Sequence, residues 1–138
     1  MANVKAQTKR SDLIEPELSY QIVGSLFRVF NELGPGLQEK HYQKAVSEEF
    51  RKSGIEFNDQ VIVPLAFGGK EIGRYIPDFV AAKKIIVEIK KGNRISRNHA
   101  VQLLSYLKIL KLPLGMLAYF GCDGVTFKRI INIDYNNL

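Results

Sequence analysis

Three side chains lie close enough in the sequence to act together in one reaction. They are Asp78, Glu88 ten residues later, and Lys90 two beyond that. A turn centred on Lys83 would place Asp78 directly opposite Glu88 on adjacent antiparallel strands. Opposed residues point to the same face, with Cβ atoms about 5 Å apart. Residues two apart on a strand also share a face, which brings Lys90 to the same patch. Two facing carboxylates repel unless a cation lies between them, and Mg²⁺ or Mn²⁺ suits oxygen ligands of this kind. Such an ion polarises a phosphoryl oxygen and acidifies water. An ammonium beside that water can orient it and offset charge developing on phosphorus. The chemistry this points to is hydrolysis of a phosphodiester. The same three residues also fit an ordinary salt bridge on an exposed sheet face. Two features weigh against that reading. Glu88 interrupts the apolar run Ile85–Ile89, where an ionised group is costly unless paired or ligated. Pro77, beside Asp78, removes a ladder donor.

Lys91, Arg94 and Arg97 follow the same strand, where a phosphodiester backbone would meet them at the rim of the site. A solvated basic loop has the same composition. His41 and His99 are too few for a histidine-based metal site. Cys122 sits beside Asp123 with no basic neighbour to acidify its thiol. As the single cysteine, it can form no intrachain disulfide, and no paired Cys/His spacing suggests structural zinc.

The elements that must position these residues follow from periodicity. Apolar residues at Leu18, Ile22, Leu26, Val29, Phe30 and Leu33 predict an amphipathic helix from about Glu17 to Leu33, stopped by Gly34-Pro35-Gly36. A second helix is expected over Gln38–Ser53, burying Tyr42, Ala45, Val46 and Phe50. Glu56–Phe67 reads as one strand, Gly68-Gly69-Lys70 as a turn, Glu71–Val80 as a second strand and Lys84–Lys90 as a third. The third strand is apolar on both faces and belongs in the middle of a sheet. Ser96 is placed to cap a helix running to about Leu110 that buries Val101, Leu104, Leu107 and Leu110 or near neighbours. Leu114–Phe120 and Val125–Ile131 complete the set as two further strands.

The chain has 138 residues, 46% hydrophobic and 25% charged, which suits one globular domain over 16–138 behind a basic tail at 1–15. Lysine and arginine number 20 against 14 acidic residues, a formal charge of +6 that permits a polyanionic partner. No apolar stretch approaches the ~20 residues of a membrane span, and residues 1–10 lack the apolar core of a signal peptide. With one cysteine as well, the cytoplasm is the expected location.

Pro77-Asp78 followed by Glu88-Ile89-Lys90 resembles the signature of the PD-(D/E)XK nuclease superfamily. Gly36-Leu37-Gln38-Glu39-Lys40-His41-Tyr42 is similar to the motif of its GxxExxY family. The resemblance runs from about Leu18 to Ile131. It implies a restriction-endonuclease-like core of α/β (α+β) type, a mixed sheet of about five strands flanked by helices. It implies Asp78, Glu88 and the backbone carbonyl of Ile89 as ligands of Mg²⁺ or Mn²⁺, Lys90 as the catalytic lysine, and Glu39 as an auxiliary acidic residue. Gln102 matches a polar position near such sites, and Tyr106, one turn further along, shares its face and would contact nucleic acid. The resemblance favours DNA over RNA. The alternative from another class is a catalytically silent module on this fold that binds nucleic acid or protein. A homodimer is expected from the small size, since a duplex has two strands to cut.

Overall fold

A computed structural model of the chain describes residues 15–135. The tail expected over 1–15 lies outside that range except for Glu15, which forms an ion pair with Lys84 at 2.9 Å.

Helix α1 (Pro16–Leu33) begins on a proline, whose missing N–H is no loss in a first turn, and buries Ile22, Leu26 and Val29. Helix α2 (Glu39–Lys52) buries Tyr42, Val46 and Phe50 at a spacing of four. The link between them is braced by Tyr42. Its hydroxyl donates to the Gly34 carbonyl at 2.6 Å and accepts from the Leu37 N–H at 3.3 Å. Gly36 takes φ +97°, a conformation that side chains disfavour.

Five strands form the main sheet in the order β1 (Phe57–Asn58), β4 (Phe79–Ala81), β5 (Ile85–Lys91), β6 (Leu114–Phe120), β7 (Val125–Ile131). Only β5 and β6 run parallel; they are joined across one face by α3 (Arg97–Leu110). The other pairs are antiparallel, so the sheet is mixed. Strand β5 is buried on both faces. Ile85, Val87 and Ile89 pack with α1 and α2, while Ile86 packs with α3 and a separate two-stranded sheet of β2 (Val63–Phe67) and β3 (Lys70–Tyr75). This is a restriction-endonuclease-like fold. Among the described residues no helix is long and apolar enough to cross a membrane.

Three local expectations change. The strand read over Glu56–Phe67 is two strands in different sheets. Asn58 ends β1 by accepting the Gln60 N–H on its side chain at 2.8 Å, a local bond that competes with strand pairing. The strand read over Glu71–Val80 is also two, divided at Ile76-Pro77-Asp78, where Pro77 has no N–H to give a ladder. In α3, Ser96 caps as expected, accepting the His99 N–H at 3.4 Å, but the buried face is Leu103, Tyr106 and Leu107. Val101 is 56% exposed. The sequence offers two overlapping apolar faces on this helix, and packing against Gly115 of β6 selects the one centred on Leu103.

Candidate metal centre

The site is built where the β4–β5 ladder ends. Ala82 and Lys83 both take left-handed conformations in the hairpin turn, and Lys84 N–H closes it on the Ala81 carbonyl at 2.9 Å. The register then pairs Phe79 with Val87, so the next step brings Asp78 opposite Glu88. Because β4 has stopped, the Ile89 N–H meets no strand. It donates to Asp78 Oδ2 at 2.7 Å instead. The Asp78 N–H in turn donates to Glu88 Oε1 at 3.2 Å. The Asp78 carboxylate is thus bonded to β5, and the Glu88 carboxylate to the backbone of Asp78.

Two further residues complete the arrangement. Gln43 Nε2, from α2, donates to Asp78 Oδ1 at 3.0 Å. The Tyr75 hydroxyl, at the end of β3, donates to Glu88 Oε2 at 2.7 Å. Lys90 Nζ lies 4.0 Å from the same oxygen. The two layers that sandwich the sheet therefore both reach this point, α2 from one face and the β2–β3 arm from the other.

Glu88 is 3% exposed. Burial raises both carboxylates above their ordinary range, Asp78 to about 6 and Glu88 to about 7. Repulsion from Asp78 adds to the rise at Glu88, while the Tyr75 hydroxyl and Lys90 oppose it. At Asp78 the Ile89 N–H and Lys90 pull down, and Glu39 pushes up. Tyr75 is raised strongly, first by burial and then by its bond to Glu88. A buried and a half-buried carboxylate that repel each other, with one lysine at the limit of ion-pair range, form a donor set that fits a hard divalent cation. Among the described residues no group of three His, Cys, Asp or Glu side chains converges as a ligand cluster. Mg²⁺ tolerates so few protein ligands because it usually retains several waters.

The other residues expected at the site are placed as follows. Glu39 opens α2, is half-buried, and acts on Asp78 through its charge. Gln102 is exposed on α3, one turn from Tyr106, whose hydroxyl pKa it helps to lower against burial. Tyr106 is 6% exposed and stacks on Tyr75, with ring centroids 4.4 Å apart and planes 17° from parallel. Lys91, Arg94 and Arg97 are exposed at the end of β5 and the start of α3. Sequence reasoning did not single out Gln43 or Tyr75. Gln43 had a signal, since it lies one turn beyond Glu39 on the same helix face. Tyr75 had none, because nothing local shows that a separate hairpin folds back onto Glu88.

The model of the PD-(D/E)XK nuclease superfamily matches residues 16–130, and the chain belongs to that superfamily. That superfamily is one of nucleases, a group that typically uses divalent metals. Among solved structures, the crystal structure of the protein SSO0001 is similar in fold, with 19% sequence identity and a TM-score of 0.51. The match covers 91% of this chain and 61% of that one, so this chain spans under two thirds of that structure's length. No curated protein matches.

Proposed function

We propose that this chain is a divalent-metal-dependent nuclease that cuts phosphodiester bonds, with DNA as substrate in keeping with its resemblance to the GxxExxY family. The observation that carries this is the crossed pairing of Asp78 and Glu88, one half-buried and one buried carboxylate held side by side with Lys90 4.0 Å from the latter.

Asp78 and Glu88, joined by the Ile89 carbonyl, would hold Mg²⁺ or Mn²⁺. In a strand, a residue's N–H and C=O lie on the same edge, and the Ile89 N–H already faces Asp78. When bound, such an ion would supply Lewis-acid polarisation of a phosphoryl oxygen and acidify water. Lys90 orients the attacking water and offsets negative charge as it builds on the phosphate. Gln43 and Tyr75 each occupy one carboxylate oxygen, which fixes the orientation of both groups. Glu39 adds negative charge on the α2 side. Lys91, Arg94 and Arg97 contact phosphates outside the reacting bond. Tyr106, with Gln102 against it, acts from within the wall by stacking on Tyr75.

The test is Mn²⁺ binding by electron paramagnetic resonance, run beside cleavage of labelled DNA and RNA. Asp78→Ala loses both metal and cleavage. Lys90→Ala keeps the metal and loses cleavage by about a hundredfold or more. Cleavage that persists in both variants overturns the reading. Salt-sensitive nucleic-acid affinity with no metal binding marks the silent module instead.

A further inference from the structure

Beside Asp78 a cavity of about 380 Å³ opens between α2 and the segment that leads into β4. Lys40, Gln43, Lys44 and Ser47 line one wall; Asp59 and residues 76–79 line the other. The volume is within the range of small-ligand sites. Gln43 belongs to this cavity and also bonds Asp78, so a group seated here touches the residue that orients the carboxylate. We infer that the cavity holds the phosphodiester next to the one that is cleaved, gripped by Lys40 and Lys44. The inference rests on the nuclease reading, in that it takes Asp78 as the reacting end of the cavity.

The two lysines are one turn apart on the same face of α2 and both are exposed. Neither forms an ion pair among the described residues. Arg28, Arg51, Arg74, Lys84 and Lys108 all do, with Glu49, Glu48, Glu71, Glu15 and Asp134. Lys44 has a glutamate one turn away in Glu48, but Glu48 is taken by Arg51 at 2.8 Å. The α2 lysines are left facing a concave polar surface with their charge uncompensated along the helix. Ile76 and Pro77 give the opposite wall an apolar surface suited to a sugar edge. Asp59 is the one opposing charge in that wall apart from Asp78, and it limits how strongly an anion is held.

The experiment reads binding without cleavage. Fluorescence anisotropy of a short labelled DNA duplex is followed in chelator across a series of salt concentrations. The double variant Lys40→Ala/Lys44→Ala raises Kd about tenfold or more, and the slope of log affinity against log salt falls by about one for each phosphate no longer bound. Asp59→Asn tightens binding. The charge-matched control Lys52→Ala/Lys128→Ala, exposed and outside the cavity, keeps the wild-type slope. Equal losses in the two double variants, or weaker binding by Asp59→Asn, overturn the inference. Wild-type protein that binds the duplex but does not cleave it with Mn²⁺ counts against the nuclease reading alone, and the lysine comparison still decides this one. Wild-type protein that does not bind the duplex overturns the inference and leaves the nuclease reading to the cleavage assay.

Discussion

The backbone N–H of Asp78 donates to the Glu88 carboxylate while that carboxylate repels Asp78's own. The pair is therefore held together by the main chain against its own charge. Neutralising one member removes the repulsion, and Glu88 is the better choice. In Glu88→Gln, the amide oxygen still accepts from Asp78, and the Tyr75 hydroxyl can turn to accept from the new NH₂. At pH 8 in chelator, this variant should be more stable than wild type by about 1–3 kcal/mol. Its Mn²⁺ affinity should collapse. Urea unfolding and metal titration check the two halves; a less stable variant would contradict the electrostatic account.

The same strain sets a pH dependence. Both carboxylates have folded pKa values raised above their unfolded ones, so each proton is bound more tightly in the folded state. Their contribution to stability is fully present below about pH 4 and is lost as pH rises through about 6 and 7. Metal binding competes with those protons, so metal affinity should climb over the same interval. Glu49, whose carboxyl is held below its ordinary range with help from Ser53 and Arg28, titrates lower and is common to both proteins. The expected result is a wild-type Tm, measured in chelator, that falls relative to Glu88→Gln between pH 5 and 8, as the raised pKa values require. Saturating Mg²⁺ should remove the difference. A constant gap would show that the pair does not titrate in this range.

Tyr75 links the β2–β3 arm to the site by a single hydroxyl. Tyr75→Phe keeps the ring stacked on Tyr106 and deletes the bond to Glu88 Oε2. Stability should change by about 1 kcal/mol, the net value of one hydrogen bond. Metal affinity should fall about tenfold to a hundredfold, as when a ligand loses an orienting partner. Isothermal titration with Mn²⁺ distinguishes this from a purely structural tyrosine, whose loss would lower stability and leave metal affinity in place.

What could be read from the sequence divides along the range of the interactions. The convergence of Asp78, Glu88 and Lys90 was legible because it depends only on strand alternation and a short turn. The buried centre of the sheet was legible because Ile85–Ile89 is apolar on both faces. The detached β2–β3 arm was not. A run of β-formers does not say which sheet it joins, and the breaks at Asn58 and Pro77 show only as weak local signals. Tyr106 was read as a nucleic-acid contact from its spacing to Gln102, but the same spacing serves a buried face once α3 packs Leu103 on Gly115.

The GxxExxY residues make a further prediction, since they do different jobs. Gly36 supplies a left-handed turn, Glu39 starts α2 beside Asp78, and Tyr42 braces the link that sets where α2 begins. Tyr42 is 1% exposed and packs on Phe120 at 4.5 Å between ring centroids, so its ring belongs to the core. Tyr42→Phe keeps that packing but leaves the Gly34 carbonyl and the Leu37 N–H without their partner. Stability should fall by about 1–2 kcal/mol, the cost of part-buried polar groups left unpaired. Metal affinity should fall far less than in Tyr75→Phe, because Tyr42 touches neither carboxylate. Tyr42→Ala should cost about 3–5 kcal/mol by opening a cavity. If Tyr42→Phe instead loses cleavage with its stability intact, the tyrosine acts in the chemistry and the brace is not its main role. Paired urea unfolding and cleavage assays on the three variants decide between these outcomes.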